Sequence, residues 1–113
     1  MSWKVTVRQG SNVGREKFDG LDAALTEARH QVDEVRRSDG LPGISMLKEF
    51  TPADRVHARI EISGPGLFRG REGGIDVMGD GHAIAYTGAI RKEPIAADSL
   101  DQAFDRLGRA LGE

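Results

Sequence analysis

The chain lacks cysteine and is poor in aromatic residues, and both facts restrict what it can be. With no cysteine among 113 residues it has no disulfide framework, no thiolate chemistry and no cysteine-based zinc site. Aromatic residues make up 5% of the sequence, so an aliphatic core is expected. A domain of this length buries roughly two-thirds of its unfolded surface, which suffices for a core without covalent cross-links.

Long apolar runs and a strong excess of one charge are also missing. No stretch has the length of a membrane span, and the residues after Met1 do not form an apolar signal segment. These features predict a cytoplasmic protein without membrane contact, and its arginine- and alanine-rich composition is typical of GC-rich bacterial genomes. The net charge of −2 provides no global attraction to nucleic acid or acidic lipid.

The most informative feature present is a repeated pattern. Residues 19–25 recur in outline as residues 98–104, and apolar residues at helical spacing follow in both copies at one constant offset. These residues are Leu21, Ala24, Leu25, Ala28 and Val32 in the first copy, and Leu100, Ala103, Phe104, Leu107 and Leu111 in the second. The pattern predicts helices over 20–37 and 99–111, the second opened by a capping box of Ser99 and Gln102.

Alternation of apolar and polar residues predicts strands over 3–7, over a return segment ending near Phe18, and over 56–62. A hairpin is predicted over 74–87, with a tight turn at Asp80 and Gly81 that places Val77 opposite Ile84. Pro94 is expected to end the last strand. The order β-β-α-β-β-β-α predicts a single α+β domain over 1–113, an antiparallel sheet of about five strands with two helices on one face.

The predicted hairpin register leaves a second face that is small and only half polar. Ile75 opposite Tyr86 shares a face with the Val77 pair, and the opposite face then bears Met78, Ala83 and Ala85. Such a face is expected to be covered by a loop or by a second copy of the chain. These three residues are therefore the candidate dimer face.

A search for catalytic or metal-binding residues finds no established pattern. His30, His57 and His82 fall on different predicted elements, without metal-ligand spacing and without a serine in a nucleophile setting. Asp76, Asp80 and His82 can be drawn as a metal site, but an exposed strand face explains Asp76 and the turn explains Asp80. The sequence therefore predicts no catalytic residue, no metal and no cofactor.

The glycine- and arginine-rich segment 64–74 has two interpretations. Its glycines let backbone amides approach phosphate, Arg69 and Arg71 can clamp it, and Phe68 can stack on a base. Arg8, Arg15 and Arg59 on outward strand positions would extend such a surface. The simpler interpretation is a flexible connection whose glycines permit a bend and whose Phe68 packs under the sheet.

Segment 38–54 lies between the first helix and the next strand and shows no convincing period. Met46 and Phe50, together with Phe68, either form an exposed patch for a partner or complete a core that is poor in aromatic residues. On the first interpretation, Met46, Phe50 and Phe68 are candidate residues of a ligand- or partner-binding site.

Three functional hypotheses follow. The first is a non-enzymatic binding or self-association module, a homodimer or a binder of another protein. The second is a nucleic-acid-binding protein that uses the 64–74 loop. The third is an enzyme or small-molecule receptor whose pocket the fold assembles from scattered residues.

Overall fold

The computed structural model describes residues 2–38, 56–64, 72–79, 82–88 and 92–112, and the structural statements below concern these residues. The strands are β1 (Trp3–Gln9), β2 (Asn12–Phe18), β3 (Val56–Ser63), β4 (Glu72–Met78), β5 (Ala83–Thr87) and β6 (Glu93–Ile95). The helices are α1 (Leu21–Ser38), between β2 and β3, and α2 (Leu100–Gly112), after β6. The predicted α+β class and the predicted order of strands and helices are confirmed.

All six strands form one sheet in the order β2-β1-β3-β4-β5-β6, and every neighbouring pair is antiparallel. The strand beyond the expected five is β6, which pairs over three residues with β5. Pro94 was predicted to end the last strand. It lies inside β6 instead, opposite Tyr86. A proline is compatible with this position because β6 is an edge strand, where a backbone N–H is dispensable.

Both helices pack on the same sheet face and enclose one aliphatic core. The repeated stripe is its helical half, since Ala24, Ala28, Val32, Leu107 and Leu111 are all buried. The sheet contributes β-branched side chains from β3 and β4, which suit a pleated surface. No helix within the described residues has the length and apolarity to cross a membrane.

The capping box predicted for α2 is confirmed. The backbone N–H of Gln102 donates to Ser99 Oγ at 3.1 Å, and the backbone N–H of Asp98 donates to Gln102 Oε1 at 2.7 Å. The first bond satisfies an amide that a helix start otherwise leaves without a partner, and the second ties the Gln102 side chain to the residue before the cap.

The predicted register of the β4–β5 hairpin is wrong by one residue. β4 pairs Ile75 with Ala85 and Asp76 with Ile84, and the backbone N–H of Met78 donates to the carbonyl of His82 at 2.7 Å. Three residues, instead of the predicted two, therefore connect the last hydrogen-bonded pair of the hairpin, Met78 and His82. Because side chains alternate between faces, this single step moves every β5 side chain to the opposite face of the sheet.

The register change disperses the candidate dimer face. Ala85 is 1% exposed and belongs to the core under the helices, and Ala83 packs against that core. Met78 alone lies on the other face of the sheet, where it is 7% exposed. These three residues therefore do not form one exposed surface.

Candidate functional site

Both described helices pack on one face of the sheet, and we call the other face, which bears no helix among the described residues, the helix-free face. Directly paired residues of antiparallel strands share a face, so the registers assign its members. They are Lys4, Thr6 and Arg8 of β1; Val13, Arg15 and Lys17 of β2; Val56, Arg59, Glu61 and Ser63 of β3; Glu72, Gly74, Asp76 and Met78 of β4; Ile84 and Tyr86 of β5; and Pro94 of β6.

Tyr86 lies in the middle of the β3–β5 part of this face. Its ring occupies the space of the absent Gly74 side chain, since a Cβ built there would lie 2.7 Å from the phenolic oxygen. The Arg59 guanidinium carbon and Lys92 Nζ lie 5.7 and 5.6 Å from the ring centroid, within cation–π range. Burial raises the pKa of Tyr86 well above its usual value of 10, so the phenol stays protonated at alkaline pH values where an exposed tyrosine ionises.

Cross-strand ion pairs surround Tyr86. Arg59 donates from Nε and a terminal nitrogen to both carboxylate oxygens of Asp76, at 2.6 and 3.0 Å. This hydrogen bonding raises the pKa of Arg59. Arg8 Nε lies 3.2 Å from a carboxylate oxygen of Glu61 on the next strand. Asp76 is thus the partner of Arg59, which accounts for it without a metal.

The three histidines and the metal site drawn from Asp76, Asp80 and His82 can now be placed in the structure. His30 and His82 are exposed and His57 is half-buried, and Asp80 lies outside the described residues. Within the described part of the chain, no group of three His, Asp or Glu side chains is arranged to hold a metal ion.

The β1–β2 part of the helix-free face is positively charged. We call Lys4, Arg8, Arg15 and Lys17 the basic strip; no acidic residue occupies a helix-free position on these two strands. Lys4 lies directly opposite Lys17. Like charges in directly opposed positions destabilise a strand pair, so folding alone does not explain this arrangement.

β2 forms one edge of the sheet, and alternation shows which of its backbone groups point outward. Hydrogen bonds from Met78 N–H to His82 and from Gly88 N–H to Glu72 direct the even-numbered residues of β4 toward β5. Following the registers through β3 and β1, the even-numbered residues of β2 bond to β1. The N–H and C=O groups of Val13, Arg15 and Lys17 therefore point away from the sheet, and we call them the open edge of β2. In the described part of the chain no other strand pairs there.

The opposite edge of the sheet is closed. By the same alternation, Glu93 and Ile95 of β6 bond to β5, and Pro94 occupies the outward position between them. Proline has no N–H, so this edge offers no donor to another strand at its central residue. The sheet therefore has one long edge able to pair and one short edge that is protected.

A groove of about 470 Å³ lies beside the open edge, on the helix side between the β1–β2 hairpin and α1. We call it the β2–α1 groove. Its lining includes Val5, Val7 and Gly14 from the hairpin, Glu16 from β2, and Glu27 and Gln31 from α1. Gln31 Nε2 donates to Glu27 Oε2 at 2.6 Å. The groove thus combines apolar and acidic side chains with Arg15 of the open edge, and its volume suits one or two side chains of a ligand.

A second groove, of about 530 Å³, lies between β5–β6 and the start of α2, with Ile84, Pro94 and Leu100 among its lining residues. Two of the backbone amides that could attract an anion there, those of Asp98 and Gln102, are already bonded to the Gln102 and Ser99 side chains. The β2 side of the sheet is therefore the better candidate site.

The structure separates the sequence-predicted candidates into two groups. Met46, Phe50, Phe68, Arg69 and Arg71 lie outside the described residues. Arg8, Arg15 and Arg59 do lie on one face, as the nucleic-acid hypothesis expected. The strand ends that flank segment 65–71 belong to paired residues Ser63 and Glu72, and Ser63 is also paired with Lys4 of the basic strip.

Sequence reasoning missed the open edge and the groove beside it. The available signal was the composition of β2, which lacks the apolar alternation of a half-buried strand, and all but its last residue are exposed. A strand that is exposed on both faces is typical of a sheet edge. No local sequence pattern predicts the groove, because one wall is the β1–β2 hairpin and the other is formed by Glu27 and Gln31 of α1, which lie further along the chain.

Comparison with protein-family models, with curated proteins and with solved structures finds no significant match to this chain.

Proposed function

We propose that this protein is a non-enzymatic binding module that accepts a segment of a partner protein as an added strand at the open edge of β2. The observation that supports this most directly is the difference between the two sheet edges. β2 offers three outward-facing residues beside a groove, whereas β6 is short and has Pro94 at its outward position. Short strands and prolines are two of the ways in which natural sheets protect an edge, and β2 has neither.

Strand addition suits this geometry because affinity and selectivity come from different groups. Main-chain hydrogen bonds to Val13, Arg15 and Lys17 would hold any extended segment, and side-chain contacts on the two faces would select among segments. The groove volume of about 470 Å³ lies within the range of small-ligand pockets, roughly 300–1,000 Å³.

The test places a proline at an outward position of β2, as Pro94 is placed in β6. Random nonapeptides are selected against the wild-type protein, and the selected peptides are then measured against Arg15→Pro and Arg15→Ala. Both variants lose the arginine charge, and only Arg15→Pro loses the outward N–H. We expect Arg15→Pro to weaken binding at least roughly tenfold relative to Arg15→Ala, since the edge loses a hydrogen bond and gains a steric block.

Circular dichroism and thermal melting show whether Arg15→Pro folds. If it does not, Val13→Pro against Val13→Ala repeats the comparison at another outward residue, without any change of charge. Equal binding by the proline and alanine variants at both positions would refute strand addition at this edge.

A second candidate, nucleic-acid binding, is favoured by one observation, the unfavourable opposition of Lys4 and Lys17 within the basic strip. Phosphates between these side chains would convert mutual repulsion into attraction. Each neutralised phosphate of a single strand contributes about −0.7 to the slope of log K against log salt concentration.

The measurement is fluorescence anisotropy with a single-stranded oligonucleotide at several salt concentrations. Lys4→Ala combined with Lys17→Ala is expected to reduce the magnitude of that slope by about 1.4. Arg37→Ala combined with Arg109→Ala is the control, because it removes the same charge from the helices, where both arginines pair with neighbouring acids. Equal slopes for both double variants would exclude the basic strip as a nucleic-acid site.

A further inference from the structure

We infer that the strand accepted at the open edge of β2 alternates acidic and basic side chains, with its acidic residues toward the helix-free face and its lysines or arginines toward the β2–α1 groove. This inference rests on the proposed function and specifies the partner of the same site. It follows from the different charge on the two sides of one strand.

An added strand continues the pleat of the sheet, so its successive side chains point to the same two faces. On the helix-free face the nearest β2 side chains are Val13, Arg15 and Lys17, with Lys4 and Arg8 behind them on β1. No carboxylate of β1 or β2 occupies that face. Arg8 is already paired with Glu61 of β3. Acidic side chains at alternate positions of the added strand would therefore neutralise the other members of the basic strip, Lys4, Arg15 and Lys17.

The helix side of the open edge has the opposite character. Glu16 projects from β2 on this side, and Glu27 faces it from α1 across the groove. A Cβ built on Gly14 has no heavy atom within 4 Å, so the edge has free space at that point. A lysine or arginine can lay its aliphatic stem along Val5 and Val7 and place its charged end at the carboxylates.

Charge also decides between a foreign segment and a second copy of the chain. Two copies joined edge to edge around a two-fold axis keep their helix-free faces on the same side of the sheet. Each β2 would then present Arg15 and Lys17 to the basic strip of the other, and Glu16 to an acidic groove. In full overlap Arg15 lies directly opposite Arg15, so the chain's own strand has the reverse of the required pattern.

The test compares two synthetic nonapeptides of identical composition by fluorescence anisotropy at physiological salt. One alternates glutamate and arginine between threonine ends, and the other places the same glutamates and arginines in two blocks. We expect the alternating peptide to bind at least roughly tenfold more tightly, because only it can match both faces at once.

Two protein variants locate the effect. Glu16→Lys is expected to weaken the alternating peptide at least roughly fivefold, and Asp105→Lys, the same charge change on the exposed face of α2, is expected to leave its affinity unchanged. Gly14→Leu should also weaken binding, because it fills the open space beside the groove. Because both β2 positions are exposed, circular dichroism is expected to show unchanged folds.

The outcomes separate the two proposals. Equal affinity for the two peptides, or selected peptides that lack alternation and still depend on the N–H of Arg15, would overturn the charge pattern and leave strand addition intact. Peptide binding that ignores Arg15→Pro would overturn strand addition itself. A dimer in solution that Arg15→Pro dissociates would identify a second copy as the occupant and contradict the inference.

Discussion

At Gly74 and Gly14 the absence of a side chain has opposite meanings. A Cβ on Gly74 would lie 2.3 Å from the carbonyl oxygen of Ile60 and 2.7 Å from the Tyr86 hydroxyl, so both β3 and the ring would have to move. At Gly14 the same atom meets nothing within 4 Å. One glycine allows close packing of backbone and ring, and the other leaves space at an edge.

Alanine substitutions should distinguish these two glycines. We expect Gly74→Ala to reduce the free energy of unfolding by about 1–3 kcal/mol, the usual cost of overpacking. Gly14→Ala is expected to leave it unchanged or raise it by about 0.5–1 kcal/mol, because glycine is entropically unfavourable in a strand. Urea denaturation of the two variants measures both effects, and a smaller loss for Gly74→Ala than for Gly14→Ala would contradict the packing around Tyr86.

Tyr86 is the only tyrosine of the chain, so its ionisation can be followed without interference from other phenols. Burial raises the pKa of this phenol above 10 in the folded protein, and the unfolded chain has the ordinary value near 10. Absorbance near 295 nm is therefore expected to show no phenolate at pH 10.5 in the native protein and substantial phenolate in denaturant.

Linkage gives the sign of the effect on stability. Below pH 10 the phenol is protonated in both states, and above it the unfolded chain loses a proton that the folded chain retains. The contribution of Tyr86 to stability is therefore complete below pH 10 and decreases as the pH rises toward its folded pKa. A native titration midpoint at 10 would show that the ring is not buried against Gly74.

At the scale of elements, the β1–β2 hairpin places two like charges, Lys4 and Lys17, directly opposite each other. Lys17→Glu would face Lys4 with an opposite charge, and we expect it to raise the free energy of unfolding by about 0.2–1 kcal/mol. Lys17→Gln, which removes repulsion without adding attraction, should give an intermediate value. A urea midpoint for Lys17→Glu below that of wild type would mean that the two side chains do not oppose each other.

The same substitution links stability to function. Lys17→Glu places a negative charge in the basic strip, so a more stable hairpin is expected to bind an acidic segment or an oligonucleotide less tightly.

The elements that were predicted correctly have local sequence patterns, and those that were predicted wrongly or missed depend on turn length or long-range pairing. The helices were predictable because their stripes have helical spacing and Ser99 and Gln102 mark a start. The β4–β5 register was not, because it depends on whether two or three residues connect the strands, and turn residues such as Asp80 and Gly81 suit both lengths. β6 was missed because three residues around Pro94 have no alternation, and its pairing with Tyr86 is a long-range contact.

At the scale of the whole molecule, the distribution of charge argues for a monomer. The patch predicted for a dimer is dispersed by the register, and the open edge repels its own copy at Arg15. We therefore expect a native mass spectrum to show the mass of one chain. Twice that mass in wild type and a single chain in Arg15→Pro would instead establish an edge-to-edge dimer.

Burial and topology together limit how much of the candidate site the sequence could reveal. Arg8, Arg15 and Arg59 were predicted to point outward, because strand alternation is local and period-two patterns are visible in the sequence. That they share a face with Lys4 and Lys17 depends on the registers of β1 with β2 and β3, which no local pattern determines. The β2–α1 groove depends on the packing angle of a helix, which is set only when the core closes.

Pro94 in β6 has a consequence for the addition of further molecules to the sheet. Sheets that polymerise into fibres need two compatible edges, one to receive a strand and one to offer a strand to the next molecule. This sheet has an open edge at β2 and, at its other edge, Pro94 in the outward position, where no N–H is available to a further strand. If the proposed strand addition holds, each accepted strand would complete a finite assembly, and we expect a stoichiometry of one partner per molecule.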